Sequence, residues 1–246
     1  PAIRAVVVGA LGGVGLLAQP ALADILPLVD DRNHEVRAAA VRAIGQIASE
    51  HETEIRVNRG LEFRLAPDVV KWMLDREAQM RQTTKSVALA AMPQLVAALR
   101  DPDEDVRFAA ATALRVIGRV AAGSAPKLVD AIDDDSPKVR RAVAGALGHV
   151  APPAVAIPVL SVMLTDADLS VGYTAARAIR RYGADAVPHL VAVMAGDAAA
   201  GIRAGAAHTL GELGAKARAA TAALAQAASD PDLRGKPSGR DGARGH

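Results

Sequence analysis

The chain contains no cysteine. That excludes a disulfide framework, a thiolate zinc site and a cysteine nucleophile, and it fits an oxidising or a reducing compartment equally well. Aromatic residues are scarce: one Trp, two Tyr and two Phe make up 2% of 246 residues, although 51% of the chain is hydrophobic. A core must therefore be built from Ala, Val, Leu and Ile, whose small side chains let helices approach closely. No sign of charge dominates: the formal net charge is +2 with both signs mixed, as on a solvated surface. Long apolar runs are missing too. The stretch Ala5 to Ala18 is interrupted by Gln19 and Pro20, short of the ~20 residues that a membrane span needs. Arg4, that stretch and Ala21-Leu22-Ala23 have the outline of a cleavable leader. A repeat reading explains the same residues better, because Ile3-Arg4-Ala5 through Gly12 aligns with Val36-Arg37-Ala38 through Gly45.

What is present is one phrase written again and again: Asp, a few polar residues, a β-branched residue, Arg, then an Ala-rich apolar run ending near Gly. Copies stand at Asp31…Val36-Arg37, Asp101…Val106-Arg107, Asp134…Val139-Arg140, Asp166…Val171-Gly172 and Asp197…Ile202-Arg203. Partial copies begin at Ile3-Arg4 and end at Leu233-Arg234. The β-branched anchors step 33, 33, 32 and 31 residues along the chain, with one doubled gap of 70 between Val36 and Val106. A period of this size means a solenoid, in which each unit buries its apolar face by stacking on the next. The chain opens inside a repeat and without Met, so it is expected to be part of something longer. Ala5 to Leu17 is apolar on nearly every side; solenoid ends need covering, so missing residues or another subunit are expected to pack there.

One unit can be built from Ala125 to Val150. Pro126 suits a first helical turn, whose N–H groups have no partner in the helix. Leu128, Val129 and Ile132 share one helical face. Asp133-Asp134-Asp135-Ser136-Pro137 breaks this helix and offers side-chain caps to the next. The second helix spans about Pro137 to Val150, with Val139, Val143, Ala146, Leu147 and Val150 in one inward stripe. Pro152-Pro153 follows and ends it. Two antiparallel helices with a short polar turn make one repeat.

The pattern resembles the HEAT-like repeats of the bilin-lyase type, whose second helix opens with Val-Arg and continues Ala-Ala-x-Ala-Leu-Gly. The resemblance is carried by Val36-Arg37-Ala38-Ala39-Ala40, by Val106-Arg107 with Ala109-Ala110-Ala111 and Ala113-Leu114, and by Ile202-Arg203 with Ala206-Ala207 and Leu210-Gly211. It implies an all-α, right-handed α-solenoid of helical hairpins, with six and a half to seven repeats over residues 1–234. It also implies a structural ladder in which the helix Arg and the loop Asp join neighbouring units. Carried onto this chain, the ladder comprises Arg37, Arg107, Arg140 and Arg203 with Asp31, Asp101, Asp134, Asp166 and Asp197. Gly172 replaces the Arg in one unit, so a rung is expected to be missing there.

Two stretches break the repetition. Leu74-Asp75-Arg76-Glu77-Ala78-Gln79-Met80-Arg81 reads as a worn motif, which predicts a degenerate repeat over about 66–92. Ahead of it, within an irregular insertion over about 49–65, Glu54 to Arg64 alternates apolar and charged residues on both sides of Asn58-Arg59-Gly60. That period-2 pattern predicts a short hairpin whose Ile55, Val57, Leu61 and Phe63 lean on the solenoid or on a partner; the alternative is a charged surface loop. The basic, Gly-rich stretch 235–246 has almost no apolar residues and is expected to be a flexible tail.

No catalytic constellation stands out. His34-Glu35 and His51-Glu52 invite comparison with the HEAT-like di-iron hydroxylase that acts on deoxyhypusine, but the matching helix positions here are Ala38-Ala39, Phe108-Ala109, Arg141-Ala142, Tyr173-Thr174 and Ala204-Gly205. None is His-Glu, so no metal is expected. Gly9, Gly12, Gly13 and Gly15 follow no strand, and read as close packing rather than a phosphate loop. Likeness to bilin lyases lies in scaffold positions only, and a fold does not carry a function. Positions 2, 6, 9 and 10 after each anchor fall on one side of the second helix; they include Arg42, Arg115, Arg141, His149, Arg177, Arg180, Arg181, His208 and Glu212, with Phe108 and Tyr173. Such a basic face attracts acidic proteins and phosphates alike, though two aromatics are thin support for base stacking. The expected function is that of a non-catalytic protein-binding scaffold or assembly subunit with no cofactor, meeting an acidic partner through Arg115, Arg141, Tyr173, Arg177, Arg180, Arg181 and His208. The Ile55–Phe63 segment is a secondary docking element. Prosthetic-group handling and nucleic-acid binding are the alternatives.

Overall fold

The computed structural model describes residues 1–49 and 67–228, and every regular element among them is helical. The chain divides into two units, Pro1–Ala151 and Pro152–His246. In the first, α1 (Ala2–Gly13) is followed by short helical turns over 15–30 that include α2 (Leu22–Ile25). Then come α3 (His34–Ile47), α4 (Pro67–Ala98), α5 (Glu104–Ile117), turns over 118–124 leading into α6 (Ala125–Val129), and α7 (Pro137–Val150). The repeat's second helices are α1, α3, α5 and α7; α3 packs on α1 and on α5, and α5 packs on α7. In the second unit, α8 (Pro153–Met163) packs on α9 (Leu169–Arg180), and α10 (Val187–Ala195) packs on α11 (Ala200–Leu213) and on α8. Turns over 214–220 and α12 (Thr221–Ala227) follow.

The second helices start where they do because the loop residues take over the orphan N–H groups of the first turn. Four of the loop aspartates close an Asx turn on the amide two residues ahead. Asp31 accepts from Asn33, Asp101 from Asp103 and Asp134 from Ser136 at 2.9 Å each, and Asp166 accepts from Asp168 at 2.8 Å. The second polar residue then caps the helix. Asn33 accepts from the amides of Glu35 and Val36 at 3.0 and 3.2 Å, and Asp103 from those of Asp105 and Val106 at 2.9 and 3.4 Å. Asp168 accepts from the Ser170 amide at 2.8 Å. Ser136 caps nothing with its side chain, but Pro137 follows and brings no N–H to satisfy. Replacing Asp168 by Ala is expected to cost about 1 kcal/mol, read from the urea midpoint; the same change at Ser136 is expected to cost less.

The core is small and aliphatic. The anchors Val36, Val106, Val139 and Val171 are fully buried, as are Ile44, Leu114, Leu147 and Ile179 one or two turns on. Alanines fill the seam between them: Ala40, Ala43, Ala110 and Ala144 are all within 3% of complete burial. Four glycines that close second helices or open first ones, Gly15, Gly118, Gly183 and Gly214, have φ between 55° and 68°. An L side chain is strained in that left-handed region, so Gly is the residue that turns the chain there.

The degenerate repeat expected over about 66–92 is not a hairpin. One helix, α4, runs through Pro67–Ala98. Its last turns bury Val87, Ala88, Ala91, Leu95 and Ala98, so it supplies the first helix of the hairpin completed by α5. Leu74 to Arg81 contains no Gly or Pro, and Leu, Arg, Glu, Ala, Gln and Met are strong helix formers, so nothing there breaks the helix. Among its described residues the doubled gap therefore holds one elongated first helix, and α3 stacks directly on α5. Six second helices (α1, α3, α5, α7, α9 and α11) stand among the described residues. The hairpin read over Ile55, Val57, Leu61 and Phe63, and the tail 235–246, lie outside the described residues.

Candidate partner-binding surface

The loop and helix charges are brought together first. Arg37 donates through Nε and Nη2 to both carboxylate oxygens of Asp101, each at 2.8 Å, and through Nη1 to the Asp31 carbonyl at 3.0 Å. Arg107 repeats this on Asp134 at 2.7 and 2.9 Å and on the Asp101 carbonyl at 2.9 Å. Each arginine thus ties its own loop to the loop of the following repeat. Both bidentate pairs are largely sheltered, with side chains 9–16% exposed. Arg140 donates to the Asp134 carbonyl at 2.8 Å, and Arg203 to the Ala198 carbonyl at 2.6 Å. Arg4, not among the arginines picked from the motif, reaches Asp31 at 2.6 Å; its signal was the partial copy Ile3-Arg4. Gly172 offers no side chain, and a Cβ there would stand 2.9 Å from the Leu164 carbonyl oxygen. Among the described residues Asp197 accepts no side-chain hydrogen bond.

These contacts shift ionisation as paired charges should. The bonds to Asp101 and Asp134 raise Arg37 and Arg107 above the ordinary arginine value, against the opposing effect of burial. Burial pushes the Asp134 carboxyl up, but the Arg107 bond, the Ser136 amide and the nearby positive charges together hold it below the ordinary carboxylate value. The charges of Arg37, Asp101, Arg107 and Asp134 are therefore matched within the chain and leave little to offer a partner.

A second set of charges sits on the exposed sides of the second helices. Some are also matched. Arg180 donates to Glu212 at 2.7 Å, so α9 and α11 are bridged one register apart. Lys138 pairs with Asp105, and its ammonium lies 4.7 Å from the Phe108 ring centroid; the Lys138 bond keeps the Asp105 carboxyl low. His34 Nδ1 stands 3.0 Å from an Asp103 carboxylate oxygen. His149 Nδ1 donates to the Gly145 carbonyl at 2.8 Å.

The remainder make no ion pair among the described residues, although Arg42 is near enough to Asp105 to help hold its carboxyl low. In the first unit, Arg42 and Arg141 are exposed and Arg115 is half-buried. In the second, Arg177 and Arg181 are exposed and follow Tyr173, 65% exposed, at successive i, i+4 steps along α9. His208 is exposed on α11. None of Arg115, Arg141, Arg177 and Arg181 has an acidic partner among the described residues, which sets them apart from the ladder arginines. The positions were readable from the repeat register; that Glu212 neutralises Arg180 was not.

Stacked helical hairpins held by an apolar seam and an Arg–Asp ladder define an α-solenoid. The chain belongs to the HEAT-repeat proteins: HEAT-repeat models match residues 22–51 and 91–121, and 125–211 and 157–235. Among solved structures it is similar to the complex of CpcE and CpcF of phycocyanin lyase from Nostoc sp. PCC7120, at 22% identity and TM-score 0.52, over 91% of this chain and 75% of that one. It is also similar to a designed armadillo repeat protein in complex with the peptide (KR)4, at 20% identity and TM-score 0.52, over 85% of this chain and 91% of that one. A further engineered protein matches at 19% identity and TM-score 0.54, over 91% and 89%. No curated protein matches the sequence. No helix among the described residues is long and apolar enough to cross a membrane.

Proposed function

We propose that the chain is a non-catalytic binding scaffold or assembly subunit whose second-helix faces engage an acidic protein surface or peptide. The observation that carries this reading is the division of its arginines. Arg37 and Arg107 of the ladder are sheltered and paired, whereas Arg141, Arg177 and Arg181 are exposed without an acidic partner among the described residues. An unpaired guanidinium on a rigid helix is a preorganised donor for a carboxylate, and bidentate geometry makes the contact directional. Tyr173 beside Arg177 adds an amphipathic ring of the kind enriched at interfaces. The designed armadillo protein in complex with the peptide (KR)4 supports the idea that such a fold can hold a charged peptide; the peptide proposed here carries the opposite sign.

The test uses a fluorescein-labelled oligoglutamate peptide, with oligolysine as control. The protein is expected to bind the first and not the second, and Arg177→Glu with Arg181→Glu is expected to weaken binding at least ~10-fold while thermal unfolding stays in place. Equal binding by this variant removes the α9 surface from consideration. Prosthetic-group handling, suggested by the likeness to the phycocyanin lyase complex, predicts a visible absorbance band in the purified protein. Nucleic-acid binding predicts duplex affinity that falls steeply with salt.

A further inference from the structure

One ridge of α9 has two chemically different halves. Leu169, Tyr173, Arg177 and Arg181 follow one another at i, i+4 steps, which places them in a single row along the helix. All four are exposed. Leu169, 88% in solvent, is the most exposed large apolar side chain among the described residues, and Tyr173 is 65% exposed. The first half of the row is therefore apolar and the second half cationic. Among the described residues no other second helix is built this way. In the register of Leu169, α3, α5, α7 and α11 have His34, Glu104, Pro137 and Ala200. In the register of Arg181 they have Gln46, Val116, His149 and Glu212.

The fold consumes neither half. Arg177 and Arg181 have no acidic partner among the described residues, whereas the neighbouring Arg180 is taken by Glu212. Leu169 lies in water directly after the capping residue Asp168. On α11, which packs beside α9, the positions equivalent to Leu169 and Tyr173 hold Ala200 and Ala204. These small residues leave room beside Tyr173 for a large side chain brought by a partner.

We infer that this row receives a helix of the partner, on which two carboxylates one turn apart are followed by two large apolar residues at the same spacing. The inference rests on the acidic partner of the proposed function and narrows it to one conformation and one order of residues. An i, i+4 step rises about 6 Å on any α-helix, so three steps of a partner helix match the ~18 Å of the row. Rows of this kind are also the ones that most often interdigitate between packed helices. Alternate residues of an extended chain advance about 6.7 Å, and three such steps overshoot the row by about 2 Å, too far for bidentate arginine contacts at both positions. Charge sets the direction. Carboxylates stabilise the first turn of a helix, so the acidic end of the partner is its N-terminus. With that end on Arg177 and Arg181, the partner runs antiparallel to α9 and the two helix dipoles oppose each other.

Three fluorescein-labelled peptides and the full chain test this by anisotropy. The first has two Glu and then two Leu at i, i+4 spacing in an Ala–Gln helix. The second has the same composition with the Leu pair first. The third is the first with a central Pro, which breaks the helix. The first is expected to bind at least ~10-fold tighter than the other two, the scale of burying one large apolar side chain. Leu169→Ala with Tyr173→Ala, shown to keep wild-type helicity by circular dichroism, is expected to bring the first peptide to within about threefold of the second. A first peptide bound no tighter than the reversed or the broken one overturns the inference, and so does a double variant that binds it as wild type does. If the double variant loses helicity, the ranking of the three peptides decides alone. Oligoglutamate separates this from the broader reading. If it binds while the three peptides do not differ, an acidic partner stands and the helix falls; if neither it nor the first peptide binds, both fall.

Discussion

Replacing Arg107 by alanine is expected to destabilise the protein by about 3 kcal/mol, the scale for removing one partner of a sheltered ion pair. The guanidinium makes two bonds to Asp134 and further bonds to the carbonyls of Asp101 and Pro102 at 2.9 and 3.1 Å. Its loss leaves a carboxylate that is only 9% exposed without its counter-ion and unties two successive loops. Lysine carries one compact ammonium and cannot span the carboxylate and the carbonyl together, so Arg107→Lys is expected to recover less than half of the loss. A double-mutant cycle with Asp134→Ala should give a coupling of about 1–3 kcal/mol. Arg141→Ala, at an exposed and unpaired arginine, is expected to stay within about 0.5 kcal/mol of wild type. Urea midpoints measure all four; equal losses at Arg107 and Arg141 would mean that the ladder contributes nothing particular.

The same rung carries a pH signature. In the folded chain Asp134 titrates below the ordinary carboxylate value, because the Arg107 and Ser136 bonds outweigh burial. A carboxyl depressed on folding adds stability that is fully present above its unfolded pKa of about 4. The contribution drains away as pH falls through the lower folded value. The gap in thermal stability between wild type and Arg107→Ala is therefore expected to be constant near neutrality and to narrow below about pH 4. A gap that stays constant through the acid range would show that the rung is held by shape and not by charge.

How much of this can be read without coordinates depends on how local each feature is. The anchors Val36, Val106, Val139 and Val171 announce themselves by period, because every second helix must present the same face to the same neighbour. The caps are legible for the same reason: Asp31-x-Asn33, Asp101-x-Asp103 and Asp166-x-Asp168 act on amides a few residues ahead. The α4 helix shows where local reading fails. Asp75-Arg76-Glu77 has the polarity of a loop, but polarity alone does not break a helix, and whether the chain turns there is decided by what α3 and α5 leave room for. The same limit applies to the basic face. Register places Arg180 and Arg181 together, but only the approach of α11 decides that Arg180 meets Glu212 while Arg181 stays unpaired.

The seam itself yields the sharpest contrast between two glycines. A Cβ at Gly45 would stand 2.6 Å from the Ala113 Cβ and 2.8 Å from its Cα. Contact with a helix backbone cannot be relieved by a rotamer change, so α3 and α5 must move apart along their length. Gly45→Ala is therefore expected to lose about 2 kcal/mol, although alanine favours a helix interior over glycine by about 1 kcal/mol. Gly9, in the middle of α1, has nothing within 4 Å of the corresponding position. There the propensity acts unopposed, and Gly9→Ala is expected to stabilise by about 0.5–1 kcal/mol. One substitution, made twice in matched helices, thus changes sign according to the distance to the next repeat. Combining Gly45→Ala with Ala113→Gly removes the Cβ–Cβ contact but leaves the one to the Ala113 Cα at 2.8 Å, and is expected to regain only part of the first loss. Thermal and urea unfolding read all three variants. If Gly45→Ala stabilises as Gly9→Ala does, helix approach at this seam is not what fixes the stack.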